Sequence, residues 1–243
     1  MNAAIRLFAW LLSLIVVALP VVAVLNGWLA ADQWPIKRLL VTAEYQRVDG
    51  DQVRAAVQPQ IGRGYFAVDL ARVRETVAAL PWVERVEVRK RWPDTLELVI
   101  VEHRAFAHWG DSKLLSYQGE IFEAPDAGQL QGLPKLAGPK GRVEEVIAFY
   151  RDSQRAFEGT GLDVVGARLT SRGSWTLELS SGAQVMVGRV PQPLAKVQKL
   201  VSVLPQLLTG EARTANRIDL RYTNGFAVQW AQPAAAGTQG SGA

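Results

Sequence analysis

Cysteine is absent from the 243 residues and histidine occurs only twice. The first absence removes disulfides and thiolate metal sites together. The second leaves His103 and His108, in a strand-like stretch with Glu102 beside the first. Metal ligation needs a third convergent donor, and none is near, so both read as ordinary polar strand residues. Gly62 and Gly64 stand without the glycine set and the strand–loop–helix context of a phosphate cradle. Ser112, Ser116 and Ser174 lack a nucleophile elbow. Asp94 and Glu97 fall on a turn and a strand face, not as a catalytic pair. An excess of one charge is missing too: Lys+Arg 27 against Asp+Glu 23 gives +4. The cations are interleaved with acids, as in Arg85, Glu87, Arg89 and Glu97, which reads as solvated faces and not as a nucleic-acid surface. These absences point to a protein that is not an enzyme, holds no metal or cofactor and binds no nucleic acid.

From Leu7 to Ala31 charge disappears altogether. As a helix rising ~1.5 Å per residue the run would be roughly 37 Å long, against a bilayer core of about 30 Å. Trp10 and Trp28 lie near its ends, where amphipathic rings favour the interface, and Pro20 predicts a kink. A cleaved signal peptide would have a shorter apolar core, and Leu29-Ala30-Ala31 is a poor cleavage site. A single transmembrane helix over 7–31 is therefore expected, after a tail of residues 1–6. Arg6 and the amino terminus face Lys37, Arg38 and Arg47 across it, a count that does not favour an inside N-terminus. Large domains are translocated regardless of such charge.

The clearest pattern lies between Gly62 and Arg104. Leu70, Val73, Val77 and Leu80 recur at helical steps, with Asp69 as a start signal and Pro81 as a stop. Val86 and Val88 alternate with charges, Trp92-Pro93-Asp94 reads as a turn, and Leu96, Leu98 and Ile100 alternate again. Upstream, Ile36 to Ala43 reads as a strand, Asp49 opens a short helix ending near Pro59, and Gly62 and Gly64 mark a loop. The order strand, helix, helix, strand, strand predicts two helices over a three-stranded sheet.

From Ala105 a second region begins. Short strands are expected around 106–109 and 114–122, a loop over 124–142, and a helix from Val143 to Gly159. Strands follow at Trp175–Leu179 and Val185–Val187, then a helix through Leu194–Leu204. Ile218, Leu220 and Tyr222 alternate before Asn224-Gly225, a tight-turn signal, and Phe226, Val228 and Trp230 alternate after it. Residues 232–243 read as a disordered tail. The fold class is α+β: one membrane helix, a β-α-α-β-β module over 36–104, and a mixed α/β domain with an antiparallel sheet over 105–231. The segment IDLRYTNGFAVQW ends the ordered chain, so it is expected at a sheet edge, where exposed backbone can accept a partner strand.

These residues carry a resemblance. FAVDL at 66–70, LPWV at 80–83, VRKRWPDTLEL at 88–98, EHRAFAHW at 102–109, the Gly188-Arg189 pair and IDLRYTNGFAVQW at 218–230 are together similar to the bacterial FtsQ/DivIB cell-division family. Segment 36–103 resembles its POTRA (polypeptide-transport-associated) module. Ala105 departs from the family, where proline often follows EHx. The resemblance implies a non-catalytic divisome scaffold, single-pass in the inner membrane, with its N-terminus cytoplasmic, its bulk periplasmic and its place at the septum. It implies FtsB, and through it FtsL, as partners bound by strand addition, with other division proteins met through the POTRA and membrane regions. Carried over by motif, Tyr222 is the key contact, Asn224, Gly225 and Phe226 follow it, Trp230 closes the segment, and Arg189 pairs with an acid on FtsB. The rival is a POTRA-type secretion or assembly factor binding unfolded substrates. Such a protein would carry further repeats or barrel strands.

Overall fold

The structure, a computed structural model, describes residues 2–25, 34–44, 46–208, 215–222 and 225–231. The chain separates between Arg104 and Ala105 into two units.

The first unit opens with α1 (Asn2–Leu25), which contains Pro20. The helix starts within the stretch expected as a tail, because Asn2-Ala3-Ala4 contains no helix breaker and alanine favours the helix. Residues 26–31 of the expected span lie outside the described residues. Described side chains in α1 run from Leu7 to Val22, about 24 Å at ~1.5 Å per residue. Among the described residues no helix is long and apolar enough to cross a membrane.

After α1 come β1 (Arg38–Thr42), α2 (Gly50–Ile61), α3 (Gly64–Ala67), α4 (Leu70–Ala78), β2 (Val83–Arg91) and β3 (Thr95–Glu102). Asp49 caps α2 by accepting from Asp51 N at 2.9 Å. Asp69 caps α4 by accepting from Ala71 N at 2.9 Å and Arg72 N at 3.2 Å. Val53 and Val57 of α2 and Val73 and Val77 of α4 are wholly buried, as are Leu96 and Leu98 of β3. Each such side chain contributes roughly 2 kcal/mol of burial. The sheet order is β1-β3-β2, with β1 parallel to β3 and β2 antiparallel to it. The expected loop at Gly62 and Gly64 contains one extra helical turn, α3. Gly64, at φ +81°, reverses the chain, and Val68 N donates to Gly64 O at 3.0 Å to close the turn.

The second unit runs β4 (Ala105–Trp109), β5 (Lys113–Ser116), β6 (Ile121–Phe122), β7 (Lys135–Ala137), α5 (Val143–Phe157), β8 (Val164–Leu169), β9 (Trp175–Leu179), β10 (Gln184–Gly188), α6 (Pro193–Leu208), β11 (Ala215–Asp219) and β12 (Ala227–Trp230). One nine-stranded sheet orders them β12-β11-β10-β9-β8-β7-β4-β5-β6. Antiparallel pairs dominate, but β10–β11, β4–β7 and β7–β8 are parallel, so the sheet is mixed. Helices explain two of these pairs. A strand that leaves through a helix returns in its original direction, and α5 lies between β7 and β8 as α6 lies between β10 and β11. Val146, Phe149 and Phe157 of α5 and Val197, Leu200 and Leu204 of α6 pack with Trp175, Leu177, Val185 and Ile218 in one core. The Phe149 and Trp175 rings meet at 4.2 Å.

Candidate functional site

Ile218 and Leu220 are the buried residues of the last hairpin; they place β11 against β10 in the core. The parallel register aligns Val185 with Ile218 and Met186 with Asp219. β12 then pairs antiparallel, Ile218 with Val228 and Asp219 with Ala227. Along β12 exposure alternates: Val228 and Trp230 are half-buried, Ala227 and Gln229 exposed. Phe226 and Val228 pack on the core. Because β12 is last in the sheet order, its outer side pairs with nothing among the described residues, which leaves a row of backbone donors and acceptors open.

The turn from β11 to β12 is wider than a two-residue Asn-Gly hairpin. Residues 220–226 separate Asp219 from its partner Ala227, and Gly225 has no positive φ. Side chains divert the chain first. Arg221 N donates to Asp219 Oδ1 at 3.0 Å, and the Arg221 guanidinium donates back from Nη2 to Oδ2 at 2.6 Å. Those hydrogen bonds hold the Asp219 carboxyl below the usual carboxylate range, and they raise Arg221 in turn. From α6, Lys196 Nζ donates to Leu220 O at 2.5 Å and Tyr222 O at 3.2 Å. Leu220 N donates to Met186 O at 2.8 Å. The backbone around Tyr222 is thus fixed from three sides while its side chain stays 59% exposed.

Gly188 makes this arrangement possible. It has φ +80°, and a Cβ there would lie 2.7 Å from Arg221 Cγ. Glycine alone therefore lets Arg221 cross the end of β10. The two expected anchors flank this crossing: Arg189 follows Gly188 and Tyr222 follows Arg221. Arg189 is exposed and lines a groove of about 570 Å³ with Arg142, Glu145, Arg172, Trp175 and Pro191. Arg142 is paired with Glu145, Nη2 to Oε1 at 2.5 Å. Arg189 and Arg172 have no ion-pair partner among the described residues, so the groove carries excess positive charge.

The structure thus places Tyr222, Gly225, Phe226 and Trp230 on β12 and the turn before it, and Arg189 just past the end of β10, two strands in from the edge. Asn224 lies outside the described residues, as does the 232–243 tail. Sequence reasoning missed Lys196 and Asp219. The Asp-x-Arg spacing before Tyr222 was a usable signal for the second; nothing in the sequence marked the first. Elsewhere, His108 Nε2 lies 2.8 Å from Leu130 O, a structural bond. Among the described residues no group of three His, Cys, Asp or Glu side chains converges as a metal site.

Comparisons with known proteins agree over most of the chain. Residues 34–103 match the family model described as POTRA domain, FtsQ-type, and residues 107–221 match Cell division protein FtsQ/DivIB, C-terminal. The chain is 48% identical over 229 residues to the cell division protein FtsQ of Xanthomonas campestris pv. campestris, covering 94% of this chain and 82% of the relative. It is 36% identical to that of a Thioalkalivibrio species, covering 86% and 88%. With that of Shewanella oneidensis the identity is 32%, over 82% and 76%.

Proposed function

The chain belongs to the FtsQ/DivIB family of cell-division proteins, and from that premise we propose that it is a non-catalytic scaffold of the division machinery. It binds FtsB, and through it FtsL, by accepting a strand along β12, and so links early and late division proteins during septum formation. One observation carries this reading: β12 is an end strand of the nine-stranded sheet with its outer side unpaired among the described residues, and an exposed tyrosine on a backbone pinned from three sides stands at its entrance. Main-chain hydrogen bonds along an edge give affinity, and a few side chains give specificity. Tyr222 and Trp230 are of the types that anchor interfaces. Arg189, unpaired among the described residues, supplies charge for an acid on the incoming strand.

The same reading has α1 in the inner membrane, with the N-terminus cytoplasmic and the chain from β1 onward in the periplasm at the septum. Its support is that large apolar side chains from Leu7 to Val22 stand in the open, Trp10 at 79%. An apolar surface of that extent needs a nonaqueous or protein cover. Further division proteins are met through the POTRA and membrane regions.

A titration of the full chain with an FtsB segment tests the partner reading. Tyr222→Ala weakens binding by about 2 kcal/mol, roughly 30-fold, with the melting temperature unchanged. An unaltered dissociation constant contradicts it.

A further inference from the structure

Three aromatic rings stand at one end of the first unit with no core to enter. Trp34 and Phe66 are each 36% exposed and Trp92 is 64% exposed. They are held in a set geometry. Trp34 meets Phe66 edge-on with centroids 5.5 Å apart, and Tyr65 meets Trp92 at 5.7 Å. Tyr65 N donates to Trp34 O at 2.9 Å. Lys90 Nζ donates to Phe66 O at 3.1 Å and lies 5.7 Å from the centre of the Tyr65 ring.

Cations gather at the same end. A groove of about 810 Å³ is lined by Lys37, Arg38, Arg54 and Arg91, with Ile36 and Trp92 in its wall. Arg38 pairs with Asp94 at 2.8 Å and Arg54 with Asp51 at 2.8 Å, while Arg91 and Glu97 stand 3.7 Å apart. Lys37 has no ion-pair partner among the described residues, so the groove has a positive surplus. Lys37 N and Arg38 N donate to Asp94 O at 2.9 and 3.3 Å, which joins the β2–β3 tip to the start of β1. This is also the end where the chain arrives from α1. Residues 26–33 separate Leu25 from Trp34, a reach of at most about 32 Å.

Indole rings, with a polar edge, and long cationic stems are the side chains that settle at a lipid headgroup layer, a neighbouring phenyl ring adds apolar area there, and acidic headgroups attract clustered Lys and Arg. We propose that this end of the first unit is a membrane contact. Trp34, Phe66 and Trp92 seat among the headgroups of the bilayer that α1 enters, and Lys37, Arg38, Arg54 and Arg91 engage acidic phospholipid. The proposal rests on the anchor reading given above, and it makes the first unit lie on the membrane surface instead of swinging from a tether.

The native chain has no cysteine, so Arg63→Cys in the full chain offers one labelling site, on an exposed residue beside the aromatic cluster. Arg85→Cys, exposed and toward the other end of β2, is the control. Each is labelled with bimane and reconstituted into phosphatidylcholine vesicles, with and without phosphatidylglycerol, carrying a headgroup-level spin quencher. The label at 63 loses most of its fluorescence in the acidic vesicles and the label at 85 does not. Salt weakens the loss, and adding Trp92→Ser to the Arg63→Cys chain reduces it. A chain that fails to float with vesicles overturns the anchor reading and the contact together. A chain that floats with the label at 63 unquenched, or with both labels quenched alike, overturns the contact alone.

Discussion

The two units offer different kinds of surface to the outside. The first presents side chains: rings and cations gathered from several elements at one end of a three-stranded sheet. The second presents backbone, the open side of β12, with a few side chains set around its entrance. Rings and cations recognise a chemical layer and need no register. A strand edge accepts one chain in one register, because each residue shifted turns every side chain over. On the proposed reading, placement at a membrane and choice of partner fall to separate units.

That separation can be broken on either side. The largest expected effect is in the first core. Leu98 is wholly buried in the central strand β3, and Leu98→Ala should cost about 3 kcal/mol. Chemical denaturation would show the loss, and affinity for an FtsB segment should be unchanged if the second unit acts alone. A parallel fall in affinity would mean that the surfaces are coupled. The next effect is at Gly188. Its φ of +80° and the 2.7 Å approach to Arg221 Cγ leave no room for a methyl group. Gly188→Ala should lower stability by roughly 1–2 kcal/mol and also weaken binding, since Arg221 must shift beside Tyr222. Weaker binding with stability unchanged would show that the crossing matters to the partner and not to the fold.

The smallest effect is electrostatic. Hydrogen bonds from Arg221 lower the Asp219 carboxyl pKa in the folded chain. A depressed carboxyl contributes stability that is fully present above its unfolded pKa, about 3.9, and is lost as pH falls through the lower folded value. The turn at Tyr222 should therefore loosen below about pH 4. Asp219→Asn should flatten that part of a pH–stability curve; an identical curve would remove Asp219 from the account.

The first unit was legible because its signals are local. Asp69 and Pro81 bracket α4, and Trp92 to Asp94 separates two alternating runs. Only α3 escaped, since a single turn that starts on a glycine has no period to read. In the second unit β7 is three residues long and reads as loop in the sequence. It exists because β4 and β8 pair with it on both sides, a property of the sheet and not of Lys135–Ala137. β8 was missed as well, and its Gly166 breaks the pattern where a Cβ would come within 3.0 Å of Lys135 O. Two of the parallel pairs follow from α5 and α6, which return the chain in its original direction, whereas alternation along a strand carries no sign of its direction. At the edge, alternation through Phe226, Val228 and Trp230 was readable. The clamp by Lys196 was not, because no spacing tells which carbonyl a helix lysine will reach.

On the proposed reading β12 accepts a partner strand. Amide hydrogen exchange on the full chain, with and without an FtsB segment, tests it most directly. New protection is expected at the outward-facing amides of Ala227–Trp230, with little change in β4 to β6 at the far end of the sheet. Protection confined to side-chain contacts elsewhere, with the β12 amides exchanging as before, would contradict strand addition.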